Sequence, residues 1–348
     1  MRIGLDLRYW DTRSNAAQLA LAEEAERLGY TTVWVAEAFG SDAVSALGWL
    51  AAHTRHIGIG SAVLQMPARS PAATAMAAAT LDALSEGRFR LGLGVSGPQV
   101  SEGWYGERFR SPLNRTREYL DVVRMALRRE EVRYSGERYV LPLPDGPGKA
   151  IRLDMQPVRR AVPVYLGAMG PRNLELTGEL ADGWLPLFFS ADHAQQQIAH
   201  VRKGAARAGR TLDGFDVAPV VPLVPGDDWE RCAELVRHDI ALYVGGMGSL
   251  EKNFYYDQAA RLGFAAAAAE IRDKFLAGDR RGAMEAVPVE LIDSTSLLGP
   301  MERIADRIRH YADAGVTTLT VAPYHPEAAG AVAALRTAAD AMVHAGVV

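Results

Sequence analysis

Short apolar runs alternate with helix-like stretches along this chain, and a glycine-rich or polar turn follows each run. The runs begin at Ile3, Thr31, His56, Phe89, Pro163, Asp182, Phe215 and Thr317. A strand that recurs after each helix favours a parallel sheet, because parallel neighbours need a crossover connection. Eight such units in 348 residues predict an α/β protein with a (β/α)8 TIM barrel. Its active site is then expected at the carboxyl ends of the strands.

Two stretches are longer than a single crossover requires. The sequence therefore predicts one barrel domain over residues 1–348, with insertions near 98–160 and 225–310. Residues 98–116 are interpreted as a long loop, and Ser135-Gly136 as the turn of a hairpin. The second insertion contains several helical runs, including Ala259–Leu276.

Composition excludes several classes of function. The formal net charge is −4, so nothing predicts binding to nucleic acid or to a membrane surface. One cysteine, Cys232, fits a reducing cytoplasm. Asp6 interrupts any apolar signal core, and it is interpreted as the cap of a turn after the first strand. No set of metal ligands is recognisable.

The fourth predicted strand ends in Gly92-Leu93-Gly94-Val95-Ser96-Gly97, which matches the pattern G-x-G-x-x-G. A dinucleotide fingerprint would need a helix to open at once and an acidic residue about twenty residues later. A second interpretation is that the small residues pack inside the barrel. The third, which we favour, is that they let a flat ring approach the backbone.

The same segment carries a family resemblance. The run LGLGVSGPQV from Leu91, with EGWYG from Glu102, resembles the luciferase-like monooxygenase superfamily. Within it, the chain is most similar to oxidoreductases that use the deazaflavin coenzyme F420. The runs VWVAE from Val33, SEGRF from Ser85 and VYLGA from Val164 agree with this. The resemblance implies a TIM barrel that binds F420, with FMN as the alternative cofactor.

The resemblance also implies positions for the cofactor. Relatives hold a non-proline cis peptide against the deazaflavin ring where this chain has Ala62-Val63, and the F420 phosphate near the turn that begins at Gly167. The cofactor-binding residues expected on this basis are Glu37, Ala62, Val63, Ser96, Gly97, Gly167, Ala168, Met169, Gly170, Leu187 and Phe188. An ordinary strand end at Ala62-Val63 and a tight turn at Gly167 remain the alternatives.

Departures from the family pattern bear on mechanism. A sugar-phosphate dehydrogenase of the family has an Asp-His pair where this chain has Glu37-Ala38, and a glutamate where it has Gly97. The acid–base pair is therefore missing, which favours F420H2-dependent reduction of an activated C=C or C=N bond in a small or peptide-like substrate. An FMN-dependent monooxygenase and a non-enzymatic ligand-binding barrel remain alternatives.

Candidate catalytic and pocket residues follow the predicted strands. Glu37, Tyr105 and His325 are candidate proton donors, although Glu37 could equally organise hydrogen bonds at its strand end. Side chains expected to form the substrate pocket are Tyr9, Trp10, Trp104 and Tyr105. The alanine-rich helix Pro71–Leu84 offers an apolar face, and close relatives pair, so a cytoplasmic homodimer is expected. The alternative is that this face packs on its own barrel.

Overall fold

The strands of the structure, a computed structural model, form one parallel sheet that curls into a barrel. The structure describes residues 1–10, 15–159, 161–248 and 252–347. The barrel strands are β1 (Arg2–Asp6), β2 (Thr32–Val35), β3 (Gly58–Ser61), β4 (Leu64–Gln65), β5 (Phe89–Gly94), β8 (Val164–Leu166), β9 (Gly183–Trp184), β10 (Asp216–Val217), β11 (Val220–Pro225) and β13 (Thr318–Pro323). The short β6 (Tyr134–Ser135) and β7 (Val140–Leu141) form a separate antiparallel hairpin, and β12 (Leu297–Gly299) pairs with β11.

Strand order confirms the predicted (β/α)8 barrel. The order runs β9, β8, β5, β3, β2, β1, β13 and β11, with every neighbouring pair parallel. The seventh predicted strand is divided into β10, which pairs with β9, and β11, which pairs with β13. Ala218-Pro219 lies between the two parts, where the Ala218 N–H still donates to Trp184 O at 2.9 Å and the Thr320 N–H to Pro219 O at 3.0 Å. These bonds close the barrel.

Helices surround the barrel and bury their apolar sides on it. They are α1 (Asn15–Arg27), α2 (Ala43–His53), α3 (Pro71–Leu84), α4 (Pro98–Gly103), α5 (Pro112–Leu127), α6 (Pro171–Leu180), α7 (Ala194–Arg207), α13 (Met301–Asp313) and α14 (Ala328–His344). Signals in the sequence explain where α3 begins. Ser70 caps this helix by accepting a hydrogen bond from the Ala73 N–H at 3.2 Å, and Pro71 occupies the first turn.

Residues 98–103 are helical, which corrects the expectation of a loop over 98–116. Gly97 is the N-cap of α4 and Pro98 stands in its first turn, a combination typical of helix starts. The helix is short because the chain leaves it at Gly103 and Trp104.

The second long stretch folds into a group of helices with its own apolar core. These helices are α8 (Trp229–Gly246), α9 (Phe254–Ala259), α10 (Ala265–Leu276), α11 (Arg280–Glu285) and α12 (Val289–Ser294). Buried residues of this group, including Val236, Ile271 and Leu291, form a cluster separate from the main core. The run Ala259–Leu276 is not one helix, because Gly263 adopts a φ of 96° and breaks it.

No helix in the described ranges is long and apolar enough to cross a membrane.

Candidate active site

A cavity of about 260 Å³ opens at the carboxyl ends of the barrel strands. Residues after β1, β2, β3, β5, β8 and β9 line it, together with side chains from α8 and α9. Backbone in the left-handed region follows three of these strands, at Arg8 (φ 60°), Ser96 (φ 64°) and Phe188 (φ 51°). Non-glycine residues held in this region cluster at functional sites.

One side of the cavity is backbone-rich and nearly free of charge. We call it the glycine wall and define it by Ala62, Val63, Gly94, Ser96 and Gly167. The Ala62-Val63 peptide bond is cis. A Cβ on Gly94 would lie 2.5 Å from Val63 Cγ2, and one on Gly167 would lie 3.2 Å from Val63 Cγ1. These glycines therefore make room for Val63.

Gly92, at the start of the glycine-rich run, has a purely structural role. A Cβ there would lie 1.8 Å from the backbone oxygen of Ser61, so only glycine permits β3 and β5 to approach so closely. The Ser61 hydroxyl donates to Gly92 O at 2.8 Å at the same point. Packing inside the barrel thus explains Gly92, whereas Gly94 and Gly97 belong to the cavity lining.

Glu37 lines the cavity just after β2, and both of its carboxylate oxygens accept hydrogen bonds. Arg69 donates to Oε2 at 2.6 Å and to Oε1 at 2.8 Å, so the two side chains form a bidentate ion pair. The backbone N–H groups of Ala43 and Gln65 donate to the same carboxylate at 3.3 and 3.1 Å. This arrangement favours the organising role of Glu37 over proton transfer, because no lone pair is left for a substrate.

Tyrosines dominate the opposite side of the cavity. We call it the tyrosine wall and define it by Tyr9, Tyr243, Tyr255 and Tyr324. Burial raises the pKa of Tyr243, Tyr255 and Tyr324. All three therefore remain neutral phenols that can donate hydrogen bonds at neutral pH.

A partly buried ion pair holds the tyrosine wall together. Arg8, after β1, pairs with Asp239 of α8, and its guanidinium lies 4.7 Å from the centre of the Tyr324 ring. The Tyr324 hydroxyl donates to the Asp239 carboxylate at 2.6 Å. The helical insertion is thereby connected to the ends of β1 and β13.

Asp6 brings an acidic group to the cavity. It is 8 % exposed and lines the cavity at the end of β1. Burial raises its pKa to about 6, opposed by the Arg8 backbone N–H and the Arg8 charge. The Arg8 N–H donates to Oδ1 at 3.1 Å, as expected of a turn cap, whereas Oδ2 has no partner among the described residues.

The structure brings together most of the residues expected at the site. Those that line the cavity are Tyr9, Glu37, Ala62, Val63, Ser96, Gly97, Gly167, Ala168, Met169 and Leu187. Gly170 adjoins them with a φ of 79°, immediately before α6. Their roles stay predictions.

The remaining expected residues lie outside the cavity lining. The Tyr105 hydroxyl donates to Ala38 O at 2.8 Å, and the His325 ring packs against Gly330, with Nδ1 accepting from the Glu327 N–H at 3.0 Å. Trp10 packs on the main core, and Trp104 is 66 % exposed. Phe188 is buried against Tyr243 in the core of the insertion.

Asp6, Arg8, Asp239 and Tyr243 are cavity or network residues that the sequence did not single out as a site. Two charged residues that interrupt an apolar strand were a usable signal for Asp6 and Arg8. Asp239 and Tyr243 are four residues apart and share one face of α8. However, no local sequence signal predicts that α8 contacts the end of β1, which lies more than two hundred residues earlier.

Comparisons with known proteins identify relatives over nearly the whole chain. The family model described as luciferase-like monooxygenase matches residues 8–318. A Mycobacterium tuberculosis protein provisionally named a coenzyme F420-dependent oxidoreductase is 41 % identical over 328 residues, which is 92 % of this chain and 94 % of that protein. The 5,10-methylenetetrahydromethanopterin reductase of Archaeoglobus fulgidus is 29 % identical over 329 residues, 92 % of each chain.

Solved structures show the same fold. The coenzyme F420-dependent tetrahydromethanopterin reductase from Methanopyrus kandleri superposes with a TM-score of 0.81 over 97 % of both chains, at 24 % identity.

Proposed function

Because the chain belongs to the luciferase-like monooxygenase family, we propose that it is an oxidoreductase that uses reduced F420 to reduce an activated C=C or C=N bond of a small or peptide-like molecule. The observation that carries the proposal is a cavity with two unlike sides. The glycine wall suits a flat ring, and Asp6, a buried acid at the end of β1, lines the cavity together with the tyrosine wall. The relatives named for F420 chemistry support the choice of cofactor.

The glycine wall fits a flat ring. Val63 is fixed between Gly94 and Gly167, and neither glycine has a side chain that would obstruct the approach of a ring to this surface. When bound, F420 supplies a hydride and reacts poorly with oxygen. The protein then has to hold the ring, exclude water and deliver a proton.

A phosphate fits at the start of α6. The backbone N–H groups of Ala168, Met169 and Gly170 have no acceptor among the described residues, and a helix N-terminus favours negative charge. A Cβ on Gly170 would lie 3.8 Å from Nη2 of Arg261, so a guanidinium stands next to the same turn. We therefore propose that Gly167–Gly170 and Arg261 hold the F420 phosphate.

Asp6 is the proton donor in this proposal. Reduction of a polarised double bond needs one proton on the atom that does not receive the hydride. A carboxyl group with a pKa of about 6 is protonated often enough near neutrality to supply it. Glu37 is ion-paired with Arg69 through both carboxylate oxygens, so it positions the strand end instead. Tyr105, bonded to Ala38, and His325, folded onto Gly330, are less suitably placed.

Two positions in the cavity support the proposed direction of reaction. Ala38 and Gly97 both line the cavity and neither can accept a proton. Oxidation of an alcohol needs a base close to its hydroxyl group, and removal of such a base costs about 10²–10⁴ in rate. The acid–base pair of the dehydrogenase is therefore missing at these two positions, which supports reduction in this proposal.

The test is anaerobic loss of reduced F420 absorbance with a panel of enones, imines and sugar phosphates. Turnover of an enone or imine without oxygen is expected. Turnover only with sugar phosphates and oxidised F420 would contradict the reductase, and strict dependence on oxygen with reduced FMN would favour the monooxygenase. Binding of neither cofactor in a titration would favour the non-enzymatic barrel.

A further inference from the structure

Gln65, at the end of β4, has a buried amide oxygen without a partner in the described ranges. The residue is 7 % exposed and lines the cavity. No described residue donates to its Oε1. A buried acceptor left unpaired costs about 1–3 kcal/mol, so such an atom calls for a donor.

The amide nitrogen of Gln65 fixes the orientation of the side-chain amide. Nε2 donates to Glu37 O at 2.7 Å and to Val63 O at 3.4 Å. Both partners are carbonyl oxygens, so the nitrogen has to be the atom that faces them. Oε1 is thereby turned away from Glu37 and Val63.

The residues around Gln65 are themselves firmly held. The Gln65 backbone N–H donates to Glu37 Oε2 at 3.1 Å, and Arg69 binds both oxygens of that carboxylate. Val63, whose carbonyl accepts from Gln65, belongs to the glycine wall and to the cis peptide. The unpaired oxygen therefore belongs to a residue that is hydrogen-bonded to the glycine wall, on which the ring is proposed to lie.

We infer that Gln65 Oε1 accepts a hydrogen bond from the imide N–H of the pyrimidine ring of the deazaflavin. This inference rests on the proposed function. The pyrimidine ring carries an N–H between two carbonyl groups, so an acceptor fixed beside the ring recognises that edge. Gln65 thereby sets which end of the ring points toward β4, and the Arg69–Glu37 pair keeps Gln65 in place.

The experiment is a cycle of two proteins and two cofactors. Wild type and Gln65→Met are each titrated with F420 and with an analogue methylated at the imide nitrogen, and binding is followed by fluorescence. In wild type, methylation is expected to weaken binding by about tenfold or more, since it removes the donor. Gln65→Met should weaken binding of F420 by about the same factor. When Gln65→Met is titrated with the methylated analogue, the two losses in affinity should not multiply, because both changes remove the same hydrogen bond.

Other outcomes overturn the inference. Losses that multiply would mean that Gln65 and the imide N–H act independently, as they would if Oε1 held only water. A change in KM for substrate without a change in cofactor affinity would assign Oε1 to the substrate. Failure of wild type to bind F420 would instead refute the proposed function. If Gln65→Met does not fold, equal affinity of wild type for both cofactors still overturns the inference.

Discussion

Asp6 combines burial, contact with the cavity and one carboxylate oxygen that has no partner among the residues the structure describes. Such a group is expensive to ionise, because the charged form loses water without gaining a full set of hydrogen bonds. The pKa of about 6 expresses that cost. Catalysis and stability should therefore both report on this single carboxyl group.

Asp6→Asn should lower kcat by about 10²–10⁴ with any substrate that the enzyme reduces, because an amide cannot give up a proton. In wild type, kcat should fall as the pH rises through about 6, where Asp6 loses its proton. Steady-state kinetics between pH 5 and pH 9 measure both effects. Unchanged kcat in Asp6→Asn would remove Asp6 from the reaction, provided that F420 affinity is also unchanged.

The same substitution should change how stability depends on pH. The pKa of Asp6 rises from 3.8 to about 6 on folding, so the folded state binds more protons between these values. The stabilisation from Asp6 is thus complete below pH 3.8 and is lost as the pH rises through about 6. Relative to Asp6→Asn, wild type should lose about 3 kcal/mol of unfolding free energy across this range. Urea unfolding at several pH values measures the difference, which would be constant if Asp6 did not titrate.

At the scale of elements, the turn between β8 and α6 is the part of the site most readily tested. Gly170 precedes the helix with a φ of 79° and a ψ of 150°, a combination open to glycine. The backbone N–H groups of Ala168, Met169 and Gly170 have no acceptor in the part of the chain that the structure describes.

Gly170→Asp should weaken binding of F420 by about tenfold or more, because it places a carboxylate where the phosphate is expected. Gly209→Asp is the matched control. Gly209 also has a positive φ, of 67°, and open space at its Cβ position, but it follows α7 outside the cavity lining. Equal affinity in Gly170→Asp and wild type, measured by fluorescence titration, would place the phosphate elsewhere.

Elements with contiguous signals were predictable from the sequence. The bounds of α3, Pro71–Leu84, agree with the expectation because a serine cap and a proline mark its start. The signals for α4 were present at Gly97 and Pro98, but a helix of six residues has too few turns to show a period. The contact between Arg8 and Asp239 could not be predicted, since it joins segments that only the closed barrel brings together.

At the scale of the whole molecule, the alanine face of α3 is not available to a second subunit. Ala75, Ala78 and Ala79 are buried on their own barrel. The other side of the helix leaves Met76 and Leu84 each 58 % exposed, and Trp49 of the neighbouring α2 is also exposed. We propose that these three side chains form the contact of a homodimer.

Met76→Asp should convert the dimer into a monomer, because it places a charge in an apolar contact. Val343→Asp is the control, since Val343 is 69 % exposed on α14. Light scattering at micromolar concentration should give about twice 37.7 kDa for wild type and for Val343→Asp, and the monomer mass for Met76→Asp. A wild-type mass of 37.7 kDa would contradict the homodimer.

The separate apolar core of the helical insertion has a consequence for how such a protein diversifies. The glycine wall comes from the barrel strands themselves, where a changed residue disturbs the packing of β3, β5 and β8. Tyr243 and Tyr255 of the tyrosine wall come from helices that have their own apolar core. Substitutions in these helices can therefore reshape one half of the cavity without disturbing the other. Because the barrel strands and the helical insertion form different parts of the cavity, one lineage can retain its coenzyme while the molecules it acts on change.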